Sequence, residues 1–179
     1  DQLEKLAAAL KRQNLPLSIF LQTSLISQGK EVLDALHLLG SDFHSHSHTH
    51  ARHHFDSRRE LETSKKLIED EFGAKRIGYR APLGKLYPGD LELVRELGYA
   101  FDASIFPSIR PGVFNHLRAP LEPGRLPGGL LEIPFGVLPG LRLILGISYM
   151  KLLGYPLYNL LMGLTGLPQI VVFYGHLHD

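Results

Sequence analysis

Ser41-Asp42-Phe43-His44-Ser45-His46-Ser47-His48-Thr49-His50 is the stretch on which the reading of this chain turns. Asp42 to His46 reads as a strand that runs out into a loop, and the loop is loaded with imidazoles. Together with His53 and His54 it holds six of the ten histidines. A solvated, low-complexity tract would more readily sit in a flexible tail, whereas this one lies between core elements. On its N-terminal side, Leu3, Leu6, Ala7 and Leu10 fall at helical spacing, Asn14-Leu15-Pro16 breaks that helix, and Leu17-Ser18-Ile19-Phe20-Leu21 reads as a short buried strand. A second helix, from about Lys30 to Leu39, ends at Gly40.

Downstream the alternation continues. Residues 57 to 71 are a charged helix with an apolar stripe of Leu61, Leu67, Ile68 and Phe72. Arg76 to Tyr79 is a strand followed by the loop Arg80-Ala81-Pro82. Pro88 to Leu97 is a helix capped by Gly98, and Tyr99 to Ala103 a strand. The Pro- and Gly-rich residues 107 to 129 form a long loop, a kind of segment that often carries function. Leu130 to Ile133 is a strand closed by Pro134, residues 148 to 163 an apolar helix, and Ile170 to Tyr174 a final buried strand. Repeated strand–helix alternation with apolar strands implies an α/β fold, its parallel strands covered by helices in an open sheet or a barrel. Chemistry then belongs at the carboxyl ends of the strands. His44 to His50, Arg80 and His176 each follow an expected strand.

Composition narrows the function classes. The 179 residues include 19 Lys+Arg and 18 Asp+Glu, for a formal net charge of +1, so nothing favours a nucleic-acid partner. With no Cys there is no disulfide framework, no Cys-ligated zinc and no thiol nucleophile. Residues 152–178 lack Asp, Glu, Lys and Arg, yet Pro156, Asn159, Pro168 and Gln169 interrupt them, so a buried helix and strand are expected rather than a transmembrane span. No basic segment leading into an apolar run opens the chain, so no signal peptide is visible and a cytoplasmic location is the expectation. There is no phosphate-cradling Gly-rich loop and no Gly-x-Ser-x-Gly elbow.

Imidazoles suit borderline divalent metals, zinc foremost. Two histidines four residues apart can meet one ion, and both His44/His48 and His46/His50 offer that spacing. A hydrolytic site wants a third ligand, often a carboxylate, and an open position for water. An Arg beyond a strand end, as in Gly78-Tyr79-Arg80-Ala81-Pro82, can pair with a carboxylate, and the Pro stiffens its loop. A His just past a buried strand, as in Tyr174-Gly175-His176-Leu177-His178-Asp179, can serve as a general acid. Asp102 and Glu132 lie in or beside strands and could orient a neighbour, although a partly exposed strand position is the plainer reading of Glu132.

Taken in order, these residues resemble the polysaccharide deacetylase family, carbohydrate esterase family 4. Leu39 to His50 is similar to its Gly-His-Glu-x-Gly-x-His-x-x-x-His segment, Gly78 to Pro82 to its Arg-x-Pro motif, Gly98 to Pro107 to the segment that often follows, and Leu131-Glu132-Ile133-Pro134 and Phe173 to His176 to its last strands. The resemblance implies a distorted (β/α)7 barrel of the TIM type and a metal-dependent hydrolase that removes an acetyl group from the nitrogen of an amino sugar or polysaccharide. It implies that His46 and His50 hold a divalent metal, zinc on ligand chemistry, that Arg80 orients the catalytic base, that His176 protonates the leaving amine with His178 as the alternative, and that Tyr79 and Pro82 meet substrate. A carbohydrate, another N-acylated small molecule or a lipid-linked sugar is the expected partner. The family's first strand carries an Asp-Asp pair that supplies the base and the third ligand. No such pair occurs in this sequence, so a single domain over 1–179, incomplete at its N-terminus, is expected. Asp1 could border that missing motif without being expected as a ligand, and Asp42 could approach the metal from the strand before His46, where the family usually places a non-ligating Glu. The other reading is a degenerate metal- or carbohydrate-binding domain on the same barrel.

Overall fold

The structure, a computed structural model, describes residues 2–50 and 57–176. Asp1, His53, His54 and His178 lie outside them. Backbone contacts divide the chain into two compact units, Asp1–Pro82 with Tyr87–Phe101, and Leu83–Leu86 with Asp102–Asp179.

The first unit is built from α1 (Gln2–Arg12), β1 (Ser18–Leu21), a 3-10 turn (Thr23–Gln28), α2 (Lys30–Leu38), β2 (Asp42–Ser45), α3 (Ser57–Phe72), β3 (Gly78–Tyr79) and α4 (Asp90–Glu96). Strand β1 runs parallel to β2 with Ser18 opposite Asp42 and Leu21 opposite Ser45, and β2 runs parallel to β3 with Ser45 opposite Tyr79. The Ala100 N–H donates to Ile77 O at 2.8 Å, leading into β4 (Phe101–Asp102). Helix α2 stops where the sequence reading puts its end. Gly40 takes φ +89°, its N–H donates to His37 O at 2.9 Å, and the Ser41 N–H donates to Leu36 O at 3.1 Å. That pair of bonds closes a helix end that only a residue at home with positive φ allows.

Helix α3 buries Leu61, Ser64, Ile68 and Phe72. The expected stripe differs at one place, because Ser64 lies fully buried while Leu67 is half-buried. The small Ser64 lets the helix approach β2, and its hydroxyl bonds the fully buried Ser45 hydroxyl at 2.8 Å. Phe43 from β2 stacks on Phe72 from α3 with ring centroids 4.2 Å apart. Gly78 opens β3 because the Phe101 ring occupies its side-chain space, with a Cβ falling 2.2 Å from Phe101 Cζ.

The second unit holds a small hairpin of β5 (Ile109–Arg110) and β6 (Phe114–Asn115), then β7 (Gly124–Arg125) antiparallel to β8 (Leu131–Glu132). Beside β4, Ile133 N–H donates to Asp102 O at 2.8 Å. Helices α5 (Ile147–Leu153) and α6 (Tyr155–Thr165) close the chain. Phe106, Phe135, Val137 and Ile144 make one core cluster, and Leu138, Leu145 and Tyr158 another. The buried Tyr158 hydroxyl donates to Ile144 O at 2.8 Å, so its polar end is satisfied within the core.

Several expectations are corrected. The loop expected over 107 to 129 contains strands β5, β6 and β7, so the strands are not all parallel. The strand expected from Tyr99 to Ala103 is only Phe101–Asp102. Strand β1 is half-buried rather than buried, with Ser18 exposed. The single helix over 148 to 163 is two helices, because Gly154 at φ +79° and Pro156 at the start of the second break the hydrogen-bond ladder. Ile170 to Tyr174 is not a buried strand: Ile170, Val171 and Phe173 are about half exposed, at 51%, 47% and 50%, and only Tyr174 forms a bridge, to Gly146. Among the described residues no helix is long and apolar enough to cross a membrane.

Candidate functional site

The first unit brings His46, His50 and Arg80 together just past the ends of β2 and β3. Parallel pairing does this directly. The Arg80 N–H donates to Ser45 O at 2.9 Å, and the His46 N–H donates to Leu21 O at 2.8 Å, so both residues leave the sheet in register. His46 Nδ1 lies 2.7 Å from Arg80 O. A carbonyl only accepts, so Nδ1 carries the proton, and in the neutral imidazole Nε2 is then the nitrogen that could bind a metal. The His46 and His50 rings stand 4.9 Å apart between centroids at 66°. Two imidazoles sharing one tetrahedral ion at normal Zn–N distances place their centroids about 5 Å apart.

The four candidate histidines separate by their partners. His44 is 6% exposed and wedged between Phe20 and Phe101, at 5.1 and 5.0 Å between centroids. Its Nδ1 accepts the Gly78 N–H at 3.2 Å. Burial, with the nearby Arg80 charge adding to it and Asp42 opposing it, pushes its pKa down to about 4. His44 is therefore a neutral core residue. His48 turns the other way, its Nδ1 3.0 Å from the Thr23 hydroxyl. The spacing that left His44/His48 and His46/His50 equivalent is resolved by these contacts in favour of the second pair as neighbouring rings.

The Arg80 guanidinium sits 3.9 Å above the centre of the Phe20 ring, which gives its long side chain a platform. Tyr79, one residue back, points into the core: it is 7% exposed and its ring packs 5.8 Å from that of Tyr99. Pro82 is half-buried at the start of a 3-10 turn, Pro82–Gly84. Asp42 is exposed at the beginning of β2.

In the second unit His176 is exposed, its ring 5.2 Å from that of Tyr174. Tyr174 anchors this segment. Its N–H donates to Leu145 O and its carbonyl accepts from Ile147 N–H, and its ring meets Phe135 edge-on at 5.0 Å. Glu132 departs from expectation. It is 5% exposed, not a partly exposed strand residue, and its Oε1 accepts the Ile105 N–H at 3.1 Å. Asp102 is fully buried and accepts from both the Ser104 N–H and the Ser104 hydroxyl, at 2.9 and 2.7 Å. Both carboxylates brace the Asp102–Ile105 backbone.

The polysaccharide deacetylase family model matches residues 1–101, more than half of the chain. The chain belongs to the polysaccharide deacetylase family. Solved structures agree on the fold. A Mycobacterium smegmatis protein described as a polysaccharide deacetylase is 20% identical, with a TM-score of 0.64 over 92% of this chain and 60% of its own. A Pseudomonas aeruginosa protein described in the same terms is 18% identical, with a TM-score of 0.63 over 96% of this chain and 58% of its own. A mutant of a family 4 pseudoenzyme with restored enzymatic activity is 16% identical, with a TM-score of 0.50 over 56% of this chain and 38% of its own. The chain thus spans about 60% of the length of the first of these and less of the others. No curated protein matches the sequence significantly. For this deacetylase-family chain the expected α/β class with a largely parallel sheet holds, although the described strands do not close into a barrel.

Two neighbouring imidazoles, one with its Nδ1 against a carbonyl, are donors of the kind a borderline divalent cation takes. Among the described residues no group of three or more His, Cys, Asp or Glu side chains could hold an ion. Sequence reading missed Glu60, whose carboxylate contacts the histidine loop from α3. A charged residue on a charged surface helix gives no signal of such a role.

Proposed function

We propose that the chain forms the catalytic domain of a zinc-dependent hydrolase that removes an acetyl or other acyl group from the amide nitrogen of an amino sugar. The observation that carries this reading is the neighbouring His46–His50 pair, with His46 Nδ1 tied to the Arg80 carbonyl.

In this reading His46 and His50 would hold the ion. When bound, a divalent cation polarises the scissile carbonyl and makes water a competent nucleophile near neutral pH. Arg80, steadied over Phe20, would orient the carboxylate that accepts the water's proton, the group the family's Asp-Asp strand supplies. The departing amine needs a proton, because an amide anion is too basic to leave, and the resemblance to family 4 gives that role to His176. Tyr79 serves through its fixed backbone, since its ring is committed to the core, and Pro82 stiffens the loop that carries Arg80. The base and the third ligand require a carboxylate pair that this sequence lacks. Several large apolar side chains of the second unit, among them Leu152, Leu157, Leu160 and Leu164, are exposed, which is compatible with a lipid-linked form of the sugar.

The second reading is a metal- or carbohydrate-binding domain without turnover, in keeping with the described residues offering no third His, Cys, Asp or Glu beside His46 and His50. Acetate release from an N-acetylglucosamine oligosaccharide, measured with and without added zinc, separates the two. Zinc-dependent release that His46→Ala abolishes supports the hydrolase. Zinc held by His46 and His50 with no release, in a protein that also carries the family's Asp-Asp strand, supports the binding domain.

A further inference from the structure

The loop from His46 to His50 sits in a costly conformation. Ser47 has φ +64° and His50 φ +56°, and neither is glycine. Non-glycine residues stay in the left-handed region only when their surroundings hold them there. Every amide of the loop has a partner. His46 N–H donates to Leu21 O, Ser47 N–H to the Ser45 hydroxyl at 3.3 Å, and His50 N–H to the Ser47 hydroxyl at 3.0 Å. The remaining two, His48 N–H and Thr49 N–H, both donate to Glu60 Oε2, at 3.0 and 2.8 Å. The Thr49 hydroxyl donates to Glu60 Oε1 at 2.9 Å.

We propose that Glu60 is the positioning residue of the metal site, its α3 carboxylate gripping the His48 and Thr49 amides and so holding His50 beside His46. The role follows from the accounting. Among the described residues, the loop's other backbone contacts use β1, the turn after it, or the strand end and loop themselves. These are Leu21 O, the Ser45 and Ser47 hydroxyls, and the Thr23 and Ser24 N–H groups, which donate to Ser47 O and His48 O at 3.2 and 3.0 Å. Glu60 supplies the hold from α3 on the segment directly before His50. A carboxylate suits the place because it accepts several bonds at once and charge strengthens each of them. His46 needs no such help, since its backbone is fixed by β1 and its ring by Arg80 O.

This inference rests on the proposed metal site, and its test separates the two. Zinc affinity is measured by calorimetry on the wild type, Glu60→Ala, Glu60→Asp and Glu60→Gln, alongside amide hydrogen exchange on the metal-free proteins. Glu60→Asp withdraws the carboxylate while keeping its charge, and it serves if Glu60→Ala does not fold. Glu60→Ala and Glu60→Asp are expected to weaken zinc binding about 10- to 100-fold, the range seen when an outer partner of a metal ligand is lost. Exchange at His48 and Thr49 should rise in both while the β2 amides stay protected. Glu60→Gln, whose side-chain oxygen still accepts both amides, should recover most of the affinity. Wild-type zinc affinity in both Ala and Asp variants, or unchanged exchange at His48 and Thr49, overturns the assignment. If the wild type binds no zinc through His46 and His50, the proposed function fails, and the exchange data alone decide whether Glu60 holds the loop.

Discussion

Replacing His44 by Asn should remove a defined part of the protein's acid sensitivity. His44 is 6% exposed, its ring packed on Phe20 and Phe101, and its Nδ1 must stay unprotonated to accept the Gly78 N–H. Its pKa falls from 6.5 to about 4 through burial. Because the folded pKa lies below the unfolded one, the unfolded chain binds more protons between these values. Stability is therefore full above about pH 6.5 and is lost as pH falls toward 4. At 1.36 kcal/mol per pKa unit the whole shift is worth about 3 kcal/mol, of which about 2.5 kcal/mol is lost between pH 7.5 and 4.5. The asparagine side chain of His44→Asn would keep an oxygen close to the Nδ1 position and does not titrate. Urea unfolding of the metal-free protein at several pH values is the assay, with the wild type minus His44→Asn difference isolating this group from every other titration. The constant offset from altered packing drops out. Parallel pH profiles for the two proteins would refute the assignment of His44 as a buried neutral base.

Four other outcomes follow from the same geometry. Arg80→Lys should leave zinc affinity within about twofold, because the His46 contact uses the Arg80 backbone carbonyl, while any acetate release falls sharply since Lys lacks the planar fork. Gly78→Ala should destabilise the fold by about 1–3 kcal/mol in thermal or urea unfolding, because its Cβ meets the Phe101 ring, and Phe101→Leu should recover part of the loss. Asp102→Ala should cost about 2–4 kcal/mol in the same assays, since a buried carboxylate accepting from both the Ser104 amide and hydroxyl disappears. Ser64→Leu should destabilise more than Leu67→Ser, reversing what hydrophobicity alone predicts, because Ser64 is fully buried against Ser45 and Leu67 is half-buried.

Local signals in the sequence located most elements of the first unit. Helix α2 ends at Gly40 because the motif needs positive φ there, and α3 shows its face through Leu61, Ile68 and Phe72. Spacing could not choose among the histidines, since i and i+4 recurs twice within ten residues. The resemblance to family 4 chose His46 and His50, and the physical distinction lies in long-range partners: Gly78 for His44, Thr23 for His48, Arg80 for His46. The second unit was less legible. Ile170 to Tyr174 has strand composition, but burial depends on neighbours that no local pattern encodes. Glu132 and Glu60 read as ordinary charged residues. Their roles come from backbone amides brought to them by residues 27 and 11 to 12 positions away.

A zinc titration followed by calorimetry, run on the wild type and on the single variants His44→Asn, His46→Ala, His48→Ala and His50→Ala, asks whether His46 and His50 share one ion. One site per chain is expected, weakened at least about 100-fold by either His46→Ala or His50→Ala and little changed by the other two. Equal, shallow losses across all four variants, or several weak equivalent ions per chain, would contradict it.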